Sequence, residues 1–114
     1  MKNDINNYEK VDYTFQRLIT SIAIASIYEP YKDSQKEFKE VLNIIIKWNI
    51  NYDKTKDLSV IKLDEFKSVD KILYELDGKY LDSEGLYAEE AYEWILQLEI
   101  LIQQFLKEKN VEEI

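Results

Sequence analysis

The sequence predicts an all-α fold, a four-helix bundle-like single domain over 1–114 with a longer loop between helices 2 and 3. Three observations carry that expectation. Apolar residues recur at the 3.6-residue helical period, the one proline and two glycines fall where helices would stop, and 114 residues suit one core rather than two.

The first helix follows from Tyr8, Val11, Phe15, Leu18, Ile19, Ile22 and Ala25, which share one face, with Asp4 placed to accept a backbone N–H at its start. Residues 22–27 become apolar all round, which calls for neighbours on several sides. Glu29 precedes Pro30, and proline's ring disfavours helical geometry in the residue before it. The second helix opens on Ser34, Gln35, Lys36 and Glu37, a capping box in which hydroxyl and carboxylate each satisfy a free N–H. Its core stripe is Phe38, Val41, Leu42, Ile45 and Trp48.

Residues 49–62 read as a loop, because Asn49, Asn51, Asp53 and the run Lys54-Thr55-Lys56-Asp57 interrupt the apolar pattern. Periodicity leaves 58–63 open between an extended piece and the first turns of the next helix. A third helix over about 64–77 buries Phe66, Val69, Ile72, Leu73 and Leu76 and stops at Gly78, which tolerates a left-handed C′ position. The last helix, about 88–109, buries Ala91, Trp94, Ile95, Leu98, Leu101, Ile102 and Phe105. On its polar side Leu96 and Ile100 project among Glu89, Glu93, Gln97 and Gln103. Another part of the bundle, a second copy in a homodimer, or a partner would cover them.

Missing residue types exclude whole classes of chemistry. With no cysteine there is no disulfide, thiolate nucleophile or thiolate zinc site, and with no histidine there is no Ser-His-Asp triad or imidazole ligand. Two glycines, Gly78 and Gly85, cannot build a G-x-G-x-x-G turn or a P-loop. The polar start and the lack of an apolar run near ~20 residues point away from secretion and membrane insertion, and toward a cytoplasmic protein without cofactors or metal.

The net charge of -8 is unevenly distributed. Residues 1–57 are neutral, whereas residues 58–114 carry six basic and fourteen acidic side chains, and the window 64–99 alone holds the whole excess. A carboxylate-rich half of this kind suits a basic protein partner and repels nucleic acid and anionic membrane. Nine tyrosines exceed what a small bundle's core needs, and Asp70, Tyr74 and Asp77, spaced i, i+4, i+7, put two carboxylates around one ring opposite the core face. An ordinary solvated acidic surface is the plainer reading of the same residues.

Enzyme motifs fit poorly. Glu89-Glu90-Ala91-Tyr92-Glu93 resembles the E-E-x-x-E half of the magnesium signature of MazG-like all-α nucleotide pyrophosphohydrolases, but the E-x-x-D half is missing. Asp82-Ser83-Glu84-Gly85 puts Leu86 where an EF-hand needs its third oxygen ligand.

In size, acidity and carboxylate-flanked tyrosines, the chain resembles the small helical immunity proteins of bacterial nuclease toxins, such as the colicin DNase and colicin D families. The likeness rests on Asp70, Tyr74, Asp77, Tyr80, Asp82 and Glu84. It implies inhibition by capping a basic catalytic or RNA-binding surface, as acidic phage inhibitors that mimic nucleic acid also do. The expected partner-binding set adds Tyr87, Glu89 and Glu93. The competing expectation is an assembly subunit that forms a homo-oligomer through Leu96 and Ile100.

Overall fold

Helix α1 spans Lys2–Ala25, so it begins ahead of Asp4, which lies inside the first turn rather than at the cap. A computed structural model describes the backbone of residues 2–81 and 86–113 and the side chains of 8–81 and 86–109. Val11, Phe15, Leu18, Ile22 and Ala25 of α1 are buried, while Tyr8 at its open end stays 42% exposed. Two hydroxyls in the helix and one just past its end face the interior without penalty: Thr14 donates to the Lys10 carbonyl, Ser21 to that of Arg17 and Ser26 to that of Ala23. Ile24 and Ile27 are exposed, so the apolar stretch at the end of α1 is not enclosed on every side.

A kinked 3-10 turn, Glu29–Ser34, carries Pro30 in its first turn and buries Tyr31 and Ser34. Helix α2 then runs Gln35–Thr55, seven residues beyond Trp48. The first half of the expected loop over residues 49–62 is therefore helix, and the reason is register. Phe38, Val41, Ile45, Trp48 and Tyr52 continue one buried stripe, while Asn49 and Asn51 are half-buried and Asp53 and Lys54 point outward. The helix ends at Lys56 in a left-handed conformation, φ 54°, whose N–H reaches the Tyr52 carbonyl. A short 3-10 turn, Leu58–Val60, follows, started by Asp57 accepting from the Ser59 N–H, so 58–62 is neither strand nor the start of α3, which begins at Leu63.

The predicted capping box at Ser34 does not form. Its hydroxyl makes no cap to α2 and instead accepts from Tyr80 Oη and Lys79 Nζ, both at 2.8 Å. Helix α3, Leu63–Lys79, passes through Gly78, which keeps negative φ rather than ending the helix. Helix α4 spans Leu86–Glu113.

Specific pairs fix the topology. Tyr13 meets Trp94 and Arg17 pairs with Glu90, so α4 runs antiparallel to α1. Phe15 meets Tyr52, Trp48 meets Phe66 while Ser34 meets Tyr80, and Tyr74 meets Tyr92. Each successive helix therefore reverses, giving an up-and-down four-helix bundle 49 × 22 × 22 Å in extent. Among the described residues no helix is long and apolar enough to cross a membrane.

Candidate partner-binding surface

On α3 the inward stripe is Phe66, Val69, Leu73 and Leu76. Asp70, Tyr74 and Asp77 sit one position further round, which turns them toward the groove between α3 and α4 rather than away from the bundle. Tyr74 is 62% exposed and meets the half-buried Tyr92 of α4 edge to face, with ring centroids 5.5 Å apart. Asp70 and Asp77 are half-buried, and the Oδ1 atom of each is shielded from solvent without a hydrogen-bond donor. That is an unusual way to hold a carboxylate, since a shielded acceptor normally finds a partner.

The charges act on one another. Burial lifts the Asp77 pKa, and the negative charge of Glu89 lifts it further. Glu93 is raised as well, by partial desolvation first, then by Glu89 through its charge and a hydrogen bond, and then by Asp77 and Glu90. Tyr92 is pushed up by burial, then by Asp70, Tyr74, Asp77 and Glu99. Asp70, Asp77, Glu89, Glu93 and Glu99 thus share one local field around the Tyr74–Tyr92 pair. Leu96, half-buried, and Ile100, 46% exposed, extend the row begun by Tyr92 at four-residue intervals along α4.

The expected site residues divide into three sets. Asp70, Tyr74, Asp77, Glu89 and Glu93 come together on the α3–α4 groove. Tyr80 lies off it: only 8% exposed, it packs on Tyr31 at 4.4 Å and gives its hydroxyl to Ser34. Tyr87 is half-buried and packs on Tyr28 at 5.0 Å, beside the Glu29–Ser34 turn. Asp82 and Glu84 lie outside the described residues. Tyr92 and Glu99 belong with the groove although the sequence reading left them out. Their signal was the spacing Tyr92, Leu96, Glu99 on α4, the same i, i+4, i+7 steps as Asp70, Tyr74, Asp77 on α3.

Glu90 points the other way, to α1, where it accepts a hydrogen bond from Arg17. The three acids of the E-E-x-x-E run therefore do not form one ligand set. No cluster of three or more acidic side chains among the described residues is arranged to hold a metal ion.

Fold and groove together define a class: an all-α, up-and-down four-helix bundle that presents carboxylates and a tyrosine pair along one helix–helix groove. No protein-family model matches the chain, and no curated protein or solved structure matches it.

Proposed function

We propose that this chain is a non-enzymatic inhibitor of the immunity-protein kind, which docks its α3–α4 groove onto a basic protein in the cytoplasm, a nuclease toxin being the partner its chemistry fits best. One observation carries the reading: the half-buried carboxylates of Asp70 and Asp77 flank an exposed tyrosine in a groove that also gathers Glu89 and Glu93. An arginine from a nucleic-acid-binding surface supplies several N–H donors in a planar fork and a charge of the right sign. Tyr74, Tyr92, Leu96 and Ile100 add contact area at low entropic cost, with acids around them, which matches the apolar centre and polar rim of protein interfaces.

The net charge of -8 also speeds encounter with a basic partner and keeps nucleic acid away from the same surface. A second copy of the chain suits the groove less well. A two-fold contact through Leu96 and Ile100 would set Glu93 and Glu99 of each copy near like charges.

The test begins with co-purification of the tagged protein from its native cell or with the product of the neighbouring gene, followed by rescue of cells from that partner's toxicity. Asp70→Lys with Asp77→Lys should then weaken the complex by roughly 3 kcal/mol or more, about a hundredfold in affinity, and abolish rescue. Unchanged affinity, with no dependence on salt, would place the interface elsewhere. Sedimentation as a dimer whose formation Ile100→Glu prevents would favour the assembly reading instead.

A further inference from the structure

The end of the bundle opposite the Glu29–Ser34 turn contains a cavity of about 380 Å³ between α1, α2, the Leu58–Val60 turn and α4. Its size falls within the ~300–1,000 Å³ of small-molecule sites. Val11, Tyr52, Leu58 and Phe105 form its walls, and Lys56 and Lys109 stand at its mouth. Val11, Tyr52 and Leu58 are almost fully buried, so the floor belongs to the core, while Leu101 and Phe105 remain partly open on the α4 side. The Tyr52 phenol, its pKa pushed up to about 12 by burial first and then by Asp12, Tyr8 and Asp53, remains a neutral hydroxyl at physiological pH.

Lys56 is a second, independent observation. Among the described residues it is the one non-glycine at positive φ. Glycine fills this helix-terminal position without a Cβ penalty, so a lysine here adds backbone strain to the free protein. What the lysine adds is an ammonium group at the cavity mouth, 5.5 Å from the Tyr52 ring centroid and 3.7 Å from Asp53 Oδ1. Across the mouth, Lys109 is close enough to help lower the Asp57 pKa, after the stronger effect of the Ser59 hydrogen bonds. Asp57 Oδ1 is already committed to Ser59, accepting from its hydroxyl at 2.6 Å and its N–H at 2.9 Å.

We infer that this cavity binds a small monocarboxylic acid with an aromatic or aliphatic tail, the tail against Val11, Tyr52, Leu58 and Phe105 and the carboxylate between the Lys56 and Lys109 ammonium groups. Asp57 and Glu108, which also line the mouth, limit the ligand to a single negative charge, because a dianion would face both. The site is separate from the α3–α4 groove and does not depend on what that groove binds.

Titration of the full chain with 4-phenylbutyrate, followed by backbone amide NMR, tests the site, with 4-phenylbutylamine as the charge-inverted control at equal ionic strength. Saturable shifts centred on Tyr52, Leu58 and Phe105 are expected for the acid, with the amine at least fivefold weaker. Lys56→Gly should weaken the acid at least fivefold while leaving the thermal midpoint unchanged or higher, because it removes the strained side chain. Gln104→Trp, a change at an exposed lining position, should block the mouth and abolish the shifts with the helical circular dichroism intact. The assignment is overturned if the acid gives no saturable shift at millimolar concentration, or if the amine binds as well. It is equally overturned if Lys56→Gly lowers the midpoint and leaves acid affinity unchanged, since the lysine would then serve only Tyr52 and Asp53.

Discussion

The Ser34 hydroxyl is fully buried and accepts from the Tyr80 phenol and the Lys79 ammonium, joining the turn before α2 to the end of α3. Close by, the Tyr31 hydroxyl accepts the Ala88 N–H, so the same turn also holds the start of α4. Removing the serine hydroxyl leaves a buried phenol without its acceptor, and Ser34→Ala should destabilise the fold by roughly 1–3 kcal/mol in urea unfolding. Adding Tyr80→Phe should recover part of that loss, because the orphaned group is then gone. An additive double variant would mean that the two groups do not interact. Trp48 makes a comparable tie between α2 and α3: its indole N–H donates to Glu65 Oε1 at 2.6 Å from a side chain 1% exposed. Glu65→Leu should cost about 1–2 kcal/mol and shift the Trp48 emission, whereas an unchanged unfolding midpoint would show that the indole finds another acceptor. Both roles were hidden in the sequence. Ser34-x-x-Glu37 reads as a cap because its local pattern is right, but donors 45 and 46 residues away claim the hydroxyl.

At the scale of elements, the inward stripes of α1, α2 and α3 were legible because apolar spacing reports burial directly. Val11, Phe15, Leu18, Val41, Ile45, Val69 and Leu73 are all buried as expected. Polarity misled over residues 49–55, where Asn49 is half-buried and Asp53 and Lys54 mark the outer side of a helix whose inner side continues through Tyr52. The i+4 step from Trp48 to Tyr52 carried the signal. Asn51→Pro distinguishes helix from loop, since a proline there removes a helical N–H and clashes with the preceding turn. The helix predicts a loss of about 3 kcal/mol or more, whereas a loop would tolerate the change. Helix α4 was readable in position but not in face, because it packs on α1 on one side and on α3 on the other. That dual contact explains why Trp94, Leu96, Leu101, Ile102 and Phe105 are all partly buried rather than divided cleanly into core and surface. It also explains the candidate groove: Asp70 and Asp77 lie one position off the α3 stripe, a displacement that becomes a groove only once α4 is alongside.

For the whole molecule, the acidic excess predicts opposite pH dependences for stability and for the proposed docking. Asp77 and Glu93 have folded-state pKa values raised above their ordinary ones, so across that interval the folded chain holds more protons than the unfolded chain. Stability therefore falls as pH rises through the raised values and grows as pH is lowered back through them. Asp57 has the opposite sign: its pKa is lowered by the Ser59 hydrogen bonds, and its contribution disappears only as pH drops through that lowered value. The thermal midpoint should thus rise as pH is lowered through the raised Asp77 and Glu93 values toward their ordinary ones, and fall again in stronger acid as Asp57 is protonated. Asp77→Asn with Glu93→Gln should flatten the first part of that curve and leave the second. Docking to a basic partner should run the other way, because protonating Asp77 and Glu93 removes charges that attract it. Over the same interval in which the free protein gains stability, the complex should weaken, and the double variant should remove both trends together. Scanning calorimetry of the free chain and titration calorimetry of the complex, run in the same buffers, measure the two slopes. A complex that tightens as pH falls would mean that these carboxylates do not face the partner.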